Sequence, residues 1–369
     1  MARLRSAEPI LEAAERWRDA CLLGDGSVFT TASLWTPQNL DELVRSYAEN
    51  LDYSDGDFWS KLEAQLQPAR PDAKKLAAEM FWVMYLLVSE EAMGAETKRY
   101  QIRKVWEWSG EALPEDHPLL GGLLTQGVSH PGTAYNTHRW REFRFFATML
   151  ADWKKLGQEE RRSLLSDPWD YATWLDAREH APGRQLRHIL LFLLFPDHFE
   201  RIATASHKQK IVREFRRKWD EDPDEVDYSD RIALDREVLR VRERLSEDPP
   251  AELSEIDFYH SPLAEEWRDQ KVAPGSDETT DWGSEDEARA WLERHIGERP
   301  VWLISVPGGG RLWRDFRDSD LIAIGWDYLG DLTEYASRDE IQAAIAEQEG
   351  PDTWASCCTP PWAAPSGSR

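Results

Sequence analysis

The sequence contains only three cysteines, Cys21, Cys357 and Cys358. An odd number excludes a complete set of intrachain disulfides, and the adjacent pair lacks the spacing that zinc ligands require. Few cysteines without a disulfide pattern are typical of proteins in a reducing compartment. We therefore expect structural thiols and no metal site.

Long apolar runs are also absent. The longest, residues 81–88 and 189–195, are much shorter than the roughly 18 residues that a membrane helix requires. The charged residues at the N-terminus are not followed by the apolar core of a signal peptide. We therefore expect a cytoplasmic protein that does not bind a membrane.

No recognised catalytic signature occurs in the sequence. It has no Walker phosphate loop, no His-Glu-x-x-His, no Gly-x-Ser-x-Gly and no Cys-x-x-Cys. Asp72, Glu96 and Lys98 imitate the signature of a family of metal-dependent nucleases, in which two acids bind Mg²⁺ and the lysine orients water. The residues between them follow a helical period, however, whereas the nuclease acids lie on adjacent strands. We expect no enzyme activity, no catalytic residue and no cofactor in this chain; an undetected hydrolase is a weaker alternative.

Positive charge is scarce, because 45 Lys and Arg oppose 69 Asp and Glu and give a net charge of −24. This argues against nonspecific coating of nucleic acid. Residues 181–218 differ, with nine cationic and three acidic residues. Helical spacing places Lys210, Arg213 and Arg217 on one face, from which Lys208 points away. This face is either solvated or contacts a nucleic-acid phosphate or an acidic partner, and all four cations are candidate contact residues.

The same basic segment contains three histidines, His188, His198 and His207. Histidine can act in acid–base chemistry, but no nucleophile is recognisable beside these three. We interpret them as surface or capping residues. Ser206 is predicted to cap the helix that carries the basic residues, because serine is a preferred residue before the first helical turn.

The periodicity of the chain divides it into four parts. Residues 1–219 follow a helical period, and an acidic linker region with one helix is predicted over 220–284. Residues 285–350 show a helix, a buried strand, a glycine turn, a short helix and a second strand. Residues 351–369 are predicted to form an irregular tail. The predicted fold class is a mostly α N-terminal domain plus a small, incomplete mixed β/α module.

Two stretches resemble a known family. Residues 190–202 (LLFLLFPDHFERI) and 206–212 (SHKQKIV) resemble the N-terminal region of McrB-type proteins, the AAA+ GTPase subunits of restriction systems that recognise modified cytosine. Residues 302–313 and 322–332 are similar to the start of an EVE-like domain of the PUA superfamily. The resemblance implies that the chain ends partway through this domain, by truncation, frameshift or as a natural tail.

The resemblance also implies a site. Related domains hold a flipped, modified base in an aromatic cage, where stacking and edge hydrogen bonds recognise it. Trp302, Trp326 and Tyr328 are the aromatic residues in the matching strings, and Trp326 is the best candidate because it follows the end of a strand. Arg311 closes the glycine turn and is a candidate phosphate contact.

Two functions remain open from the sequence. In the first, the chain is the non-catalytic recognition portion of a bacterial antiphage restriction or NTPase protein. It would sense modified or foreign nucleic acid, such as modified DNA, for a motor or nuclease subunit. In the second, it is an acidic helical scaffold for protein partners, without nucleic-acid binding. The net charge of −24 and the missing motifs favour the second function, and the family resemblance favours the first.

Overall fold

A computed structural model describes residues 4–52, 57–250 and 253–268. This part of the chain is mostly helical, which confirms the expected α-helical character of the N-terminal region. No strand occurs among the described residues, and a single parallel β-bridge joins Val88 to Ser129. The predicted β/α module at 285–350 and the tail at 351–369 lie outside the described residues.

The described residues form thirteen α-helices, joined by short 3-10 and π-helical turns. They are α1 (Glu8–Trp17), α2 (Pro37–Leu43), α3 (Phe58–Leu66), α4 (Pro71–Leu86), α5 (Ala95–Glu107), α6 (Thr133–Thr137), α7 (Arg139–Lys155), α8 (Gln158–Ser166), α9 (Pro168–Asp176), α10 (Gln185–Leu194), α11 (Ala205–Lys218), α12 (Arg231–Glu247) and α13 (Leu263–Trp267). Each of them is too short or too polar to span a bilayer.

Helix α4 lies at the centre of the main hydrophobic core. Pro71 occupies its first turn, where a missing backbone N–H costs no helical hydrogen bond. Thirteen of its sixteen residues are buried, and α1, α2, α5 and α7 pack around it. A helix that is covered on all sides carries apolar residues around most of its circumference. The apolar stripe through Leu76, Met80 and Met84 is fully buried.

Aromatic rings fill the space between α4 and its neighbours. Phe81 of α4 stacks on Phe143 of α7, with ring centroids 4.5 Å apart. Trp17 of α1 meets Phe146 of α7 edge to face, with centroids 6.3 Å apart. Both arrangements suit the ring quadrupoles. These aromatic residues of the described helices are therefore core residues.

A second hydrophobic core, which we call the second core, lies where α11 packs against α12 and α13. Its buried residues are Ile202, Ile211, Val212, Phe215, Leu234, Val238, Val241, Leu245, Phe258, Leu263 and Trp267. Much of the segment that we expected to be a solvated acidic linker is thus packed as far as residue 267. Apolar residues recur along α12 at helical spacing and bury one face of this helix.

The capping residues show why α11 and α12 begin where they do. Asp230 accepts from the backbone N–H groups of Ile232 and Ala233 and caps α12. Ser206 was predicted to cap α11, but it lies inside the helix. The helix begins at Ala205, after Thr204, whose side chain makes no capping hydrogen bond. The Ser206 prediction is wrong because the helix begins at Ala205, two residues before the start that a cap at Ser206 implies.

Candidate functional site

Helix α11 carries four of the predicted contact residues, and Lys208, Arg213 and Arg217 pair with acids of the same chain. Lys208 is buried, with 1% of its surface exposed. Arg213 contacts the Asp224 carboxylate at 3.2 Å. Arg217 is exposed and donates to Glu214, three residues earlier on the same helix. A contact to an outside ligand is therefore contradicted for Lys208, because burial excludes the ligand.

Two further cations of α11, Arg216 and Lys218, also pair with acids of the same chain. Arg216 is buried and contacts Glu225 at 2.8 Å, and Lys218 donates to Glu266. Lys210 is half-buried. The acids that pair with α11 come mostly from the acidic segment after residue 219. The excess positive charge of residues 181–218 is therefore largely neutralised within the chain.

Lys208 ends in a cluster of charged side chains, which we call the buried charge cluster. It consists of Asp176 of α9, Arg187 and His188 of α10, Lys208 of α11 and Asp235 of α12. Arg187 binds Asp176 with two hydrogen bonds of 2.8 and 2.9 Å, and also donates to Asp235. Lys208 donates to the other oxygen of Asp235 at 2.6 Å. Four helices therefore meet at two shared carboxylates.

His188 takes part in the cluster as a hydrogen-bond acceptor. Its Nδ1 lies 2.9 Å from Nζ of Lys208 and 3.1 Å from Nη1 of Arg187. Both partners are donors only, so Nδ1 must be unprotonated and the neutral ring carries its proton on Nε2. Burial, with Lys208 and Arg187, holds the pKa of His188 well below its usual value. His188 is buried, with only 6% of its surface exposed, so its interpretation as a surface residue is wrong.

The pKa values in the cluster show which charges the fold stabilises. Burial alone would raise the pKa of Asp235, but Lys208 and Arg187 bring it below the usual value. Burial lowers the pKa of Lys208, and Asp235 only partly opposes this shift. Asp235 is therefore a carboxylate at neutral pH. A buried carboxylate of this kind requires cationic partners, since leaving it unpaired costs several kcal/mol.

Further ion pairs surround the cluster. Arg231 contacts Asp176 at 3.7 Å, and its Nη1 is buried with no hydrogen-bond partner among the described residues. Arg242 of α12 contacts Glu200 at 2.8 Å. Both bonds join α12 to residues outside the second core. Ion pairs thus join α12 to α9 and to the segment after α10, and Ile232 at the start of α12 packs against the main core.

The chemistry of the cluster is that of a structural joint. Its donors and acceptors bind one another, and it contains no serine or cysteine. Nowhere in the described residues do three or more His, Cys, Asp or Glu side chains form a group that could hold a metal ion. A surface cavity of about 420 Å³ lies elsewhere, beside α3, and is lined by Asn50, Leu51, Asp52, Ala64 and Gln65.

A second buried acid, Glu79, lies in the middle of α4. It accepts hydrogen bonds from the hydroxyl of Ser27, the backbone N–H groups of Val28 and Phe29, and the indole of Trp35. It has no cationic partner within ion-pair distance among the described residues. Burial therefore raises the pKa of Glu79 to about 7, although these hydrogen bonds oppose the shift. Glu79 holds the segment before α2 against the core.

Sequence reasoning missed Asp235 and Arg187, although α12 contains a signal for one of them. Asp235, Val238, Arg242 and Leu245 recur at the spacing of one helical stripe, and all four are buried. An acid and an arginine on an apolar stripe predict buried ion pairs, because neither charge can be buried alone. The partners of Asp235, on α10 and α11, lie too far along the chain for a local pattern to identify them.

The other predicted site residues, Trp302, Arg311, Trp326 and Tyr328, lie outside the described residues. Their predicted roles in phosphate contact and base stacking remain predictions.

Comparisons with known proteins give no relative for this chain. No protein-family model matches it, and no curated protein or solved structure matches it either.

Proposed function

We propose that the described helical part is an acidic, non-catalytic scaffold that binds protein rather than nucleic acid. One observation carries the proposal: the cations of α11, which offered the best phosphate-binding surface in the sequence, are largely paired with acids of the same chain. Arg213 and Arg217, which remain near the surface, each lie beside a carboxylate. Electrostatic attraction to nucleic-acid phosphate requires clustered, available positive charge.

The net charge of the chain supports the same proposal. At −24 it repels a polyanion at long range, and this repulsion weakens with salt. The joint between four helices gives the scaffold a fixed shape, which lowers the entropic cost of holding a partner. A partner subunit, such as a motor or a nuclease, is the class of protein that we propose it holds.

DNA binding by the full chain tests this proposal. We expect Lys210→Glu/Arg213→Glu/Arg217→Glu and the wild type to bind unmodified duplex DNA equally weakly in fluorescence anisotropy at 50 and 200 mM salt. A loss of affinity in the triple variant, with a reduced salt dependence, would show that α11 contacts phosphate. A second experiment measures binding of the full chain to proteins encoded by neighbouring genes. We expect this binding to depend little on salt.

A second candidate function rests on the resemblance of residues 302–332 to an EVE-like domain. Here the segment outside the described residues reads a modified base, as part of an antiphage restriction or NTPase protein, and Trp326 stacks on the base. Binding of the full chain to cytosine-modified and unmodified oligonucleotides, with Trp326→Ala as the variant, tests it. A preference for modified DNA that Trp326→Ala abolishes supports base reading. Equal binding of both oligonucleotides excludes it.

A further inference from the structure

Many of the contacts between the two hydrophobic cores of the described chain are polar, although Ile232 of α12 also packs against the main core. The main core and the second core are separate clusters of buried residues. Between them lie the buried charge cluster and the pairs Arg231–Asp176 and Arg242–Glu200. Interfaces held mainly by polar groups open more easily than apolar cores, because water can replace their bonds.

His188 is the titratable group at the centre of this joint. Three cations act on His188 itself: Arg187 of α10, Lys208 of α11 and Arg231 of α12. Carboxylates face these cations from the same elements: Asp176 of α9 and Asp235 of α12 bind Arg187, and Glu200 after α10 acts on Lys208. The two groups that bind its Nδ1 are cations, Lys208 and Arg187. A proton on Nδ1 would replace an acceptor by a third cation and would break both hydrogen bonds.

We propose that His188 makes the joint an acid-sensitive switch, in which protonation of its ring releases α11–α13 from α9 and α10 while both cores persist. The proton comes from solvent and is taken up at Nδ1 in the open form. In the open form Lys208 keeps its bond to Asp235, and Arg187 keeps its bonds to Asp176. The bond between Arg187 and Asp235 breaks. The switch goes beyond the proposed scaffold function, and the scaffold can hold partners whether or not the switch exists.

The direction of the effect follows from proton linkage. The closed form holds His188 neutral, whereas the open form has a histidine of ordinary pKa, near 6.5. Below about pH 6.5 the open form therefore binds more protons than the closed form. The ratio of open to closed molecules rises as the pH falls, up to about tenfold for each pH unit.

A local measurement is required, because Glu79 affects global stability in the opposite direction. Its pKa is raised to about 7, so the folded chain gains protons there as the pH falls through the same range. Glu79 lies in the main core on α4, away from α11–α13. Hydrogen exchange of the individual helices separates the two effects.

The experiment is hydrogen–deuterium exchange of the full chain between pH 7.5 and 5.0, corrected for the intrinsic pH dependence of exchange. We expect opening of α11–α13 to rise roughly tenfold per pH unit below about 6, whereas opening of α4 should not rise, because protonation of Glu79 stabilises the main core. His188→Asn keeps an acceptor near the Nδ1 position but cannot be protonated. We therefore expect the opening of α11–α13 in this variant not to change with pH. His130→Asn is the matched control, since exposed His130 accepts from the Gly132 N–H through the same atom.

Two results would overturn the proposal: opening of α11–α13 in the wild type that does not change with pH, or the same pH dependence in His188→Asn. If His188→Asn does not fold, NMR of the wild type tests the proposal instead. Nitrogen NMR of the histidine rings should find His188 neutral, with its proton on Nε2, while α11–α13 are protected. A protonated His188 with these helices still protected would also overturn the proposal.

Discussion

The ammonium of Lys154 donates to the backbone carbonyl of Cys21 at 2.6 Å, in the interior of the main core. Cys21 lies in the π-helical turn Arg18–Leu23, which ends α1. Lys154 also donates to the carbonyl of Gly24 and contacts Asp25 at 2.8 Å. One side chain of α7 thus satisfies carbonyls at the end of a helix, where intrahelical partners are missing.

Replacing Lys154 by methionine should destabilise the chain by about 2 to 4 kcal/mol, because two buried carbonyls lose their donor. Lys155→Met is the matched control. Its ammonium is 68% exposed and pairs only with Asp152 three residues earlier, so we expect a change below about 0.5 kcal/mol. Urea unfolding of both variants at pH 7 measures the difference. Equal losses would show that the carbonyl contacts are not important for stability.

Glycine is required at position 127. A Cβ atom there would lie 1.8 Å from the carbonyl oxygen of Val88, which is backbone and cannot rotate away. We expect Gly127→Ala to separate the segments joined by the Val88–Ser129 bridge and to cost on the order of 4 kcal/mol or to prevent folding. Gly122→Ala is the control, because a Cβ there meets nothing within 4 Å. Circular dichroism and thermal unfolding compare the two, and equal melting temperatures would contradict the close approach.

Glu79 should make the global stability fall as the pH rises. Its pKa is about 7 in the folded chain and near 4.5 in the unfolded chain, so the folded state holds the extra proton between these values. Its contribution is complete below about pH 4.5 and is lost as the pH rises through about 7, and it amounts to at most about 3 kcal/mol. We expect Glu79→Gln to reduce this slope in urea unfolding between pH 5 and 8. An unchanged slope would assign the pH dependence to other groups.

The helices themselves were predictable because their signals are local. Pro71 precedes an apolar stripe at the start of α4, and Pro196 follows a run of leucines at the end of α10, and both are local signals of a helix boundary. The aromatic residues of α7 recur at helical spacing, which is enough to assign them to a core. Helical periodicity and breakers therefore identified these elements without any tertiary information.

The ion pairs were not predictable because their partners are distant in sequence. Lys208 and Asp235 are separated by 27 residues, and Arg187 and Asp235 by 48. A cation on a helix has the same local pattern whether an acid or solvent lies opposite, so the basic face of α11 was interpreted as a possible ligand contact. Only the packing of α12 on α11 and α9 shows that the charges are used within the chain.

The central claim is that Lys208 serves the joint between helices and not an outside ligand. A double-mutant cycle with Lys208→Met, Asp235→Asn and the combined variant measures this most directly, through urea unfolding at pH 7.5. We predict a coupling free energy of about 1 to 3 kcal/mol between the two side chains, because each removes a partner from the same buried pair. Additive effects, with a coupling below about 0.5 kcal/mol, would contradict the account.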